Sequence, residues 1–357
     1  MMTGKIRQLS FPLLIFSISL TALFGSFYSK NLDIILFFWF GFIASLVTSY
    51  FGVKISKKFK LLQQIKEEGP STHKKKGNTP TMGGIFFIPI FLIILLCIDI
   101  QFSPAKILFF LTILGYFSIG LIDDILSIKN KTNIGLKGKD KLIFQIIITL
   151  FLVIFSAQFN LINSEINILE KFSINLKEFI FPIALITVIG MSNAVNLSDG
   201  LDGLVAGCSS IVFCGLGIEI LINNNQFIGF SILCFSLAGL CLGFLKFNKY
   251  PAKIFMGDTG SLSLGAIIGI ICIFTNSFFT VFIFSGIFIL ETLSVILQVL
   301  FFKITKKVTG KGERIFLMSP VHHHLELKGI PERKIVDYFW KTNILLVILG
   351  IVLTISF

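Results

Sequence analysis

The sequence predicts an all-α, polytopic integral membrane protein with about ten transmembrane helices. Its 357 residues are 54% hydrophobic and only 14% charged, whereas soluble domains carry about 25% charged residues. Several uninterrupted apolar runs approach the ~20 residues that a helix needs to cross the hydrocarbon core of a bilayer. Because these runs are continuously apolar rather than alternating, they predict helices and exclude the strands of a membrane β-barrel.

The apolar runs define the predicted spans. They lie at about 33–53, 84–100, 104–122, 142–161, 178–195, 204–222, 227–245, 260–276, 278–302 and 338–357. A further run, 9–28, follows Lys5 and Arg7 as in a signal peptide, but no small-x-small cleavage site comes after it. We therefore expect two parts. Segment 1–32 is an uncleaved anchor, an interfacial helix or an extra span, and 33–357 is a ten-helix transmembrane domain.

The basic residues predict the orientation of the chain in the membrane. Four connections hold 24 of the 31 lysines and arginines, namely 54–83, 123–141, 246–259 and 303–337. They alternate with lysine-poor connections, so all four lie on one side, which the positive-inside rule makes the cytoplasm. We therefore expect a multi-pass protein of the cell inner (cytoplasmic) membrane. The net charge of +12 also suits anionic lipids and an anionic substrate, although topology alone would account for it.

Five aspartates lie where an apolar run meets the basic side of the membrane. They are Asp123, Asp124, Asp199, Asp202 and Asp258. One alone would be interpreted as a solvated carboxylate, but carboxylates at the edge of a bilayer are costly, and five on one side predict a functional cleft facing the cytoplasm. Phosphate chemistry beside a Mg²⁺ ion needs such oxygen ligands together with cationic side chains. The lysine-rich run from Asp124 to Lys141 offers the cations.

Two polar segments predict walls of this cleft. Asn196, Asp199 and Asp202 recur every three residues, which places them along one side of a helical turn. Their Asp-Gly pairs indicate turning backbone, which is tolerated at membrane depth only against protein or a water-filled cavity. The segment Thr79-Pro-Thr-Met-Gly-Gly84, just before a span, predicts an ordered turn at the rim of a ligand site.

A glycine-containing loop, 248–261, leads into a predicted helix near Ser261. Glycine lets the backbone approach a ligand closely, and helix N-terminal amides favour phosphate, so Asp258 is a candidate metal ligand there. A simple capped turn, with Asp258 or Ser261 as the cap, is the alternative. That alternative does not explain Asn248 and Phe255, which offer a hydrogen-bonding edge and a stacking surface suited to a nucleotide base.

Three consecutive histidines, His322, His323 and His324, lie in the last basic connection. Consecutive positions on a helix cannot all face one ion, and zinc sites need cysteine, more histidine or an i, i+4 spacing, so zinc is not expected. Phosphate contact or proton handling is the favoured role, with a solvated polar loop as the alternative. For Glu291, a carboxylate within a predicted span, the pattern does not decide between a helix–helix hydrogen bond and a functional role.

Six motifs together resemble the phospho-N-acetylmuramoyl-pentapeptide transferase family of the polyprenyl-phosphate N-acetylhexosamine-1-phosphate transferase superfamily, from about residue 50 to the C-terminus. The motifs are Gly69-Pro70-Ser-x-His73 with Thr79-Pro-Thr-Met-Gly-Gly84, Asp123-Asp124, Gly135-Leu136 with Lys141 and Gln145, Asn196-Leu-Ser-Asp-Gly-Leu-Asp202, Phe255-Met-Gly-Asp-Thr-Gly-Ser261 and Pro320-Val-His-His-His-Leu-Glu-Leu-Lys-Gly329. The resemblance implies transfer of phospho-MurNAc-pentapeptide from UDP-MurNAc-pentapeptide to undecaprenyl phosphate, which gives lipid I and UMP in peptidoglycan synthesis. It also implies Mg²⁺, ten spans and often a homodimer.

The resemblance implies roles for individual residues. Asp258 matches the metal-binding aspartate, Asp123 and Asp124 match an essential pair, and His323 is expected to share charge in catalysis. The positions that match substrate-binding residues are Lys76, Thr81, Lys131, Lys141, Asn196, Asp199, Asp202, Asn248, Phe255, Gly257, His322 and His324. One departure stands out. Where the family usually has a lysine three residues after the aspartate pair, this chain has Ser127, and we hypothesise that Lys129 or Lys131 supplies the cation instead.

Two other functions stay open at this point. A sister enzyme would transfer N-acetylglucosamine-1-phosphate from UDP-GlcNAc to the same lipid, and an ion-coupled transporter would carry acidic residues across the depth of the bilayer, often with inverted repeats. Which of Asp123 and Asp124 acts as the base, and whether a covalent aspartyl-phosphate forms, also stay open. We expect membrane lipids as further partners and no nucleic acid.

Overall fold

The computed structural model describes residues 10–62, 79–100, 103–131, 135–169, 172–223 and 225–356. Their helices, in chain order, are α1 Ser10–Ser29, α2 Asp33–Lys58, α3 Ile88–Cys97, α4 Ser103–Asn130, α5 Gly138–Gln158, α6 Ile180–Leu197, α7 Leu204–Asn223, α8 Ile228–Asn248, α9 Gly257–Thr275, α10 Phe278–Phe284, α11 Gly286–Thr309, α12 Val321–Leu327 and α13 Glu332–Ser356. Two strands, β1 Glu165–Leu169 and β2 Phe172–Asn175, pair antiparallel as a hairpin that the sequence analysis did not predict.

Ten helices in these ranges are long and apolar enough to cross a membrane, namely α1, α2, α4 to α9, α11 and α13. This confirms the predicted all-α, multi-pass class, although the set differs from the prediction. The span predicted at 84–100 is a 3₁₀ turn, Gly83–Phe86, followed by the ten-residue α3. The span predicted at 278–302 is two helices, α10 and α11, which are separated at Ser285.

Three helices form the centre of the bundle. The apolar windows of α7, α8 and α9 are 89%, 94% and 89% buried, whereas those of the other candidate spans are 28–44% buried. A helix that is hydrophobic on every side is stable only when other helices or lipid surround it. The central three helices therefore form the core, and the other spans present one side to lipid.

Close approach in this core depends on small residues. A Cβ built at Gly239 would overlap the carbonyl oxygen of Phe38, so α8 lies directly against α2. In the same way Gly265 brings α9 against the carbonyl oxygen of Met191 on α6. Membrane helices have no hydrophobic driving force for association, because lipid tails are as apolar as their side chains. Their association depends instead on close backbone packing, which small residues allow. The contacts place the N-terminus of α9 beside the ends of α4 and α6.

Helix α1 runs along the core from one end to the other. Its N-terminal Phe11 ring lies 4.2 Å from Lys249 Nζ, just beyond the end of α8. In its middle, Thr21 Oγ1 lies 2.9 Å from Cys214 Sγ on α7, and near its end Gly25 packs against Leu221. A three-residue turn then leads into α2. The segment is thus a packed member of the bundle.

The two ends of the bundle differ. At one end the β1–β2 hairpin lies against the α9–α10 turn, where Asn276 Nδ2 donates to the carbonyl of Glu165 over 2.8 Å. The ends of α4 and α6 and the starts of α5 and α9 meet at the other end, which also carries the lysine-rich connections. Hence the polar motifs of the sequence lie together at the basic end.

The close packing of α8 on α2 can be tested with two glycine substitutions. Gly239→Ala would force α8 away from α2, and overpacking of this kind costs about 1–3 kcal/mol, so we expect the melting temperature in detergent to fall by several degrees. Gly190→Ala is the matched control, because a Cβ at Gly190 meets nothing within 4 Å. Equal melting temperatures for the two variants would contradict the packing described here.

Candidate active site

A lysine links two carboxylates at the basic end of the bundle. Lys141 Nζ, in the first turn of α5, lies 2.9 Å from Asp123 Oδ1 on α4 and 2.5 Å from Asp258 Oδ2 on α9. The three side chains are partly exposed, at 11% for Asp123, 18% for Lys141 and 24% for Asp258. The pair of like charges is therefore compensated by an internal cation while the group stays open to solvent.

Asn196 orients the second carboxylate of this group. Its Nδ2 donates to Asp258 Oδ1 over 2.8 Å and to Ser261 Oγ over 2.9 Å. Asp258 thus receives hydrogen bonds on both oxygens, from the amide of α6 on one and from Lys141 on the other. The fold thus brings together Asn196 and Asp258, both predicted site residues, and the hydrogen bond between them fixes the direction of the Asp258 carboxylate.

Asp124 has a different environment from Asp123. The two residues are equally buried, at 7% and 8% exposed, but their partners differ. Asp124 Oδ1 accepts the backbone N–H of Asp258 at 3.1 Å. Its Oδ2 accepts the N–H of Thr259 at 3.0 Å and the Thr259 hydroxyl at 2.6 Å. A carboxylate at the N-terminus of a helix satisfies amides that have no partner within the helix. Asp124 therefore caps α9 from the neighbouring α4.

Two glycines make this capping contact possible. A Cβ at Gly257 would lie 2.5 Å from Asp124 Oδ2, and Gly257 has a positive φ of 72° that few L side chains adopt. A Cβ at Gly120, one turn before Asp124, would overlap the carbonyl of Asp258. Of these two, only Gly257 was predicted as a site residue, and its structural role here is to admit Asp124.

The Thr79–Gly84 segment supports the loop that leads into α9. The N–H groups of Gly83 and Gly84 donate to the carbonyls of Phe255 and Met256 at 2.8 and 2.9 Å, and the N–H of Phe255 donates to the carbonyl of Pro80 at 2.8 Å. Thr81 is 7% exposed in this segment, and the Phe255 side chain is partly exposed. Lys76 lies outside the described residues.

Asn248 and Asp202 lie at the base of the same loop. Asn248 is 3% exposed; its Oδ1 accepts the N–H of Gly203 at 3.2 Å and its Nδ2 donates to the carbonyl of Ile254 at 3.0 Å. Asp202 is 4% exposed, and its Oδ2 accepts the N–H of Ala252 at 2.9 Å. Both side chains therefore connect the 199–203 turn to the loop before α9, and their role as substrate-binding residues stays a prediction.

Glu291, which the sequence left undecided, holds His322. The carboxylate is fully buried in α11, and His322 on α12 is 1% exposed. Glu291 Oε1 accepts the His322 N–H at 3.2 Å, and Oε2 lies 3.0 Å from His322 Nδ1. The other ring nitrogen, Nε2, points at Gly200, where a Cβ would overlap it. Since a carboxylate on Nδ1 selects the tautomer with the proton there, Nε2 is presented to the turn after Asn196.

The other two histidines take different partners. His323 Nδ1 lies 3.0 Å from Glu326 Oε2 with 15% of its side chain exposed. His324 Nδ1 accepts the N–H of Leu317 at 3.1 Å, which supports the loop before α12. The three rings thus have different partners, although those of His322 and His323 also contact each other, with centroids 4.2 Å apart.

The cation at the carboxylates comes from α5 and not from the end of α4. Lys129 and Lys131 are exposed, and within the described residues neither forms a salt bridge. Ser127, in the position of the usual family lysine, is partly buried. Within the described residues the cation that contacts the carboxylates is therefore Lys141. That Lys129 or Lys131 supplies a cation at the phosphates stays a prediction. Asp199 is partly exposed in the turn after α6.

Comparison with known proteins agrees with this arrangement. A family model described as Glycosyl transferase family 4 matches residues 106–276. A phospho-N-acetylmuramoyl-pentapeptide-transferase of Prochlorococcus marinus strain MIT 9301 is 56% identical over 99% of this chain and 100% of the relative. The phospho-N-acetylmuramoyl-pentapeptide-transferase of Prochlorococcus marinus subspecies pastoris is 54% identical over 100% of both chains. The transferase of Synechococcus sp. strain CC9311 is 40% identical over 87% of this chain and 84% of the relative.

The chain belongs to the phospho-N-acetylmuramoyl-pentapeptide-transferase family. It is therefore a membrane-embedded phosphoglycosyl transferase. Membership confirms the resemblance drawn from the motifs and disfavours the sister enzyme and the transporter.

The carboxylate group of this family member could hold a metal ion. One oxygen from each of Asp123, Asp124 and Asp258 lies within 4.8 Å of the others. With Lys141 between two of them, the formal charge of the group is −2, which a divalent cation would neutralise. Carboxylate and amide oxygens are ligands that hard divalent cations prefer. The donor set therefore fits a divalent metal ion, with Asp258 as its most exposed carboxylate.

Three contributors to this site were not predicted from the sequence. Thr259 donates twice to Asp124, the N–H of Leu136 donates to Asp123 Oδ1 at 2.9 Å, and Glu291 holds His322. Leu136 and Thr259 stood inside quoted motifs, but the sequence did not indicate that Leu136 contacts Asp123, 13 residues away, or that Thr259 contacts Asp124, 135 residues away. Only Glu291 carried a signal, as a carboxylate within an apolar run.

The capping role of Asp124 predicts a loss of stability. In Asp124→Asn one amide nitrogen would face the donors of α9, and each buried donor left unsatisfied costs about 1–3 kcal/mol. We expect a clearly lower melting temperature in detergent. Asp123→Asn is the matched control, because Asp123 contacts Lys141 and a single backbone donor, the N–H of Leu136, which an asparagine oxygen can still accept, so this variant should melt closer to the parent. A larger fall for Asp123→Asn would contradict the capping role.

The position of His322 predicts an effect of Gly200→Ala on catalysis. The added methyl would displace the ring of His322, a predicted substrate-binding residue, and a misplacement of about 1 Å in a substrate-positioning side chain can cost about 100-fold in rate. We expect transferase activity to fall at least tenfold. Gly190→Ala, where the new methyl meets nothing within 4 Å, should retain it. Parent activity in Gly200→Ala would show that the position of His322 does not matter.

Proposed function

We propose that this chain transfers phospho-MurNAc-pentapeptide from UDP-MurNAc-pentapeptide to undecaprenyl phosphate, forming lipid I and UMP. Membership in the family supports the reaction, and the observation that carries it is the group formed by Asp123, Lys141, Asn196 and Asp258 at the basic end of the spans. Acidic and basic side chains at the membrane edge suit a lipid phosphate reacting with a soluble diphosphate. The donor would enter from the aqueous side and the acceptor from the bilayer.

In the proposed reaction an oxygen of the lipid phosphate attacks the sugar-side phosphorus of the UDP-sugar. A new P–O bond forms, the diphosphate bond breaks, and its electron pair leaves with UMP. Asp123 is the carboxylate proposed to deprotonate the lipid phosphate, because both oxygens of Asp124 already accept the α9 amides. Direct attack by the lipid needs no aspartyl-phosphate, so we propose the direct route.

Mg²⁺ is the proposed cofactor, held by Asp258 with help from Asp123, and it would neutralise charge on the diphosphate. Lys141 now compensates the same carboxylates, so we propose that its ammonium turns to a phosphate oxygen when substrates bind. Asn196 keeps Asp258 directed into the cleft. His323 shares the phosphate charge, and His322 Nε2 contributes from the turn at Gly200.

The nucleotide base is proposed to lie against the loop before α9. Phe255 offers the stacking surface, and Asn248 and Asp202 keep this loop in place through backbone hydrogen bonds. Asp199, Lys76, Thr81, Lys131 and His324 are retained as proposed substrate-binding positions, of which Thr81 and His324 act through the segments that they support.

The proposed location is the inner membrane, with the active site facing the cytoplasm. The lysine-rich connections, which hold most of the basic residues, support this orientation. We propose that 33–357 is the transferase domain and that α1 is an extra span, which puts Lys5 and Arg7 on the cytoplasmic side. A homodimer is proposed from the family alone.

The metal assignment predicts the behaviour of Asp258→Asn. Loss of this carboxylate should lower Mg²⁺-dependent UMP release by about 100-fold or more, the size seen when a group that stabilises transition-state charge is removed. Chelation with EDTA should stop the parent enzyme, and added Mg²⁺ should restore it. Asp99→Asn, an exposed carboxylate near the opposite end, is the control. Near-normal UMP release by Asp258→Asn would refute the assignment.

Substrate choice predicts a second result. Purified protein with undecaprenyl phosphate should release UMP from UDP-MurNAc-pentapeptide and not from UDP-GlcNAc. Turnover of UDP-GlcNAc alone would establish the sister activity. Ion flux without any UMP release would establish a transporter. The buried carboxylates within spans do not favour a transporter, because Glu291 pairs with His322 and Glu219 accepts the Ser277 hydroxyl at 2.8 Å.

A further inference from the structure

A cavity lies at the basic end of the bundle, apart from the group formed by Asp123, Asp124 and Asp258. It has a volume of about 430 Å³, and the start of α1, the segment after α8 and the first turns of α13 form its walls. The lining residues on which the argument rests are Phe11, Lys249, Tyr250, Arg333, Lys334 and Trp340. Neither Lys141 nor Asp258 lines it, so the cavity does not include the carboxylate group, although Asp202 lies between the two regions.

The cavity has an excess of positive charge. Lys249, Arg333 and Lys334 line it, and none of the three forms a salt bridge with a described residue. Two carboxylates, Asp202 and Asp337, also line it, so with the three cations the formal charge of the lining is +1. Asp337 Oδ2 in addition lies 3.6 Å from Lys341 Nζ, outside the lining. An anionic ligand would balance this excess.

Aromatic rings hold two of the cations in place. Lys249 Nζ lies 4.2 Å from the centre of the Phe11 ring, and the Arg333 guanidinium lies 4.6 Å from that of Tyr250. Cations over aromatic rings are stabilised without losing their charge. Trp340 Nε1 donates to the carbonyl of Gly203 at 3.2 Å, which fixes the indole as an apolar wall. The cations are thus positioned in advance around the cavity.

The electrostatics of Lys249 agree with an anionic ligand. Burial, together with the positive charges of Lys246 and Arg333, holds the pKa of Lys249 below its usual value. An anion in the cavity would favour the charged form of this lysine and relieve the repulsion. The chain before α1 does not supply that anion, because residues 1–9 contain Lys5 and Arg7 and no acidic residue.

We propose that this cavity binds the phosphodiester headgroup of an anionic membrane phospholipid. It opens where three helices end at the membrane boundary, the level at which tryptophan, tyrosine and basic residues contact headgroups. Basic pockets between membrane helices on the cytoplasmic side are a recurrent way to bind such lipids. The lipid phosphate lies among Lys249, Arg333 and Lys334. The part of the acyl chain nearest the headgroup packs on Phe11 and Trp340.

Native mass spectrometry of the full-length protein in nonionic detergent tests this proposal without using catalysis as the readout. The protein is titrated with phosphatidylglycerol and with phosphatidylcholine of identical acyl chains. We expect phosphatidylglycerol to bind at least tenfold more tightly. The double variant Arg333→Gln and Lys334→Gln should weaken phosphatidylglycerol binding about fivefold for each charge removed, with phosphatidylcholine binding unchanged.

The matched control is Lys306→Gln with Lys307→Gln. This adjacent exposed pair at the end of α11 removes the same charge from the same side of the protein. The proposal would be overturned if the parent protein bound phosphatidylglycerol and phosphatidylcholine equally tightly. It would also be overturned if the control variant lost as much phosphatidylglycerol binding as the Arg333→Gln and Lys334→Gln variant. Glycerol 1-phosphate is added as a competitor. If it binds as tightly as the lipid, the ligand is a soluble phosphate and the lipid proposal fails.

Discussion

The site depends on the hydrogen bonds that α9 donates to Asp124. Two backbone amides and the Thr259 hydroxyl converge on one buried carboxylate of α4. The carboxylate compensates the partial positive charge of the helix N-terminus as well as its unpaired donors. Because Asp258 is the second residue of α9, the same bonds determine where its side chain leaves the helix. Gly257 is needed there, since any larger residue would displace Asp124.

Charge compensation is the second constraint on the site. Asp123 and Asp258 would repel each other at this separation, and the ammonium of Lys141 between them removes most of that cost. A divalent cation would neutralise the remaining formal charge of −2. With that cation bound, the ammonium of Lys141 would no longer be needed between Asp123 and Asp258 and could contact a phosphate oxygen. Three carboxylates thus lie close together, with one ammonium between two of them and with hydrogen-bond donors on the third.

The loop before α9 connects the two polar regions of this end of the bundle. Its inner end leads to Asp258, while Lys249 and Tyr250 at its outer end line the basic cavity. The side chains of Asn248 and Asp202 fix the loop through three hydrogen bonds to the backbone of Gly203, Ala252 and Ile254. Residues that resemble substrate ligands in the sequence therefore also determine the shape of the wall. Their substitution would move Phe255 and Asp258 together.

The sequence by itself determined the class of the fold, the common side of the five aspartates and the family, because span length, one-sided lysines and contiguous motifs are local properties of the chain. Only the tertiary structure decided how the aspartates divide their tasks. Lys141 and Asp258 are 117 residues apart, and Asp124 and Thr259 are 135 apart. Such partners depend on which helix ends meet, and close glycine contacts between helices decide that. For this reason Lys141 lies between Asp123 and Asp258, Glu291 has a partner in His322, and α3 is shorter than its apolar run.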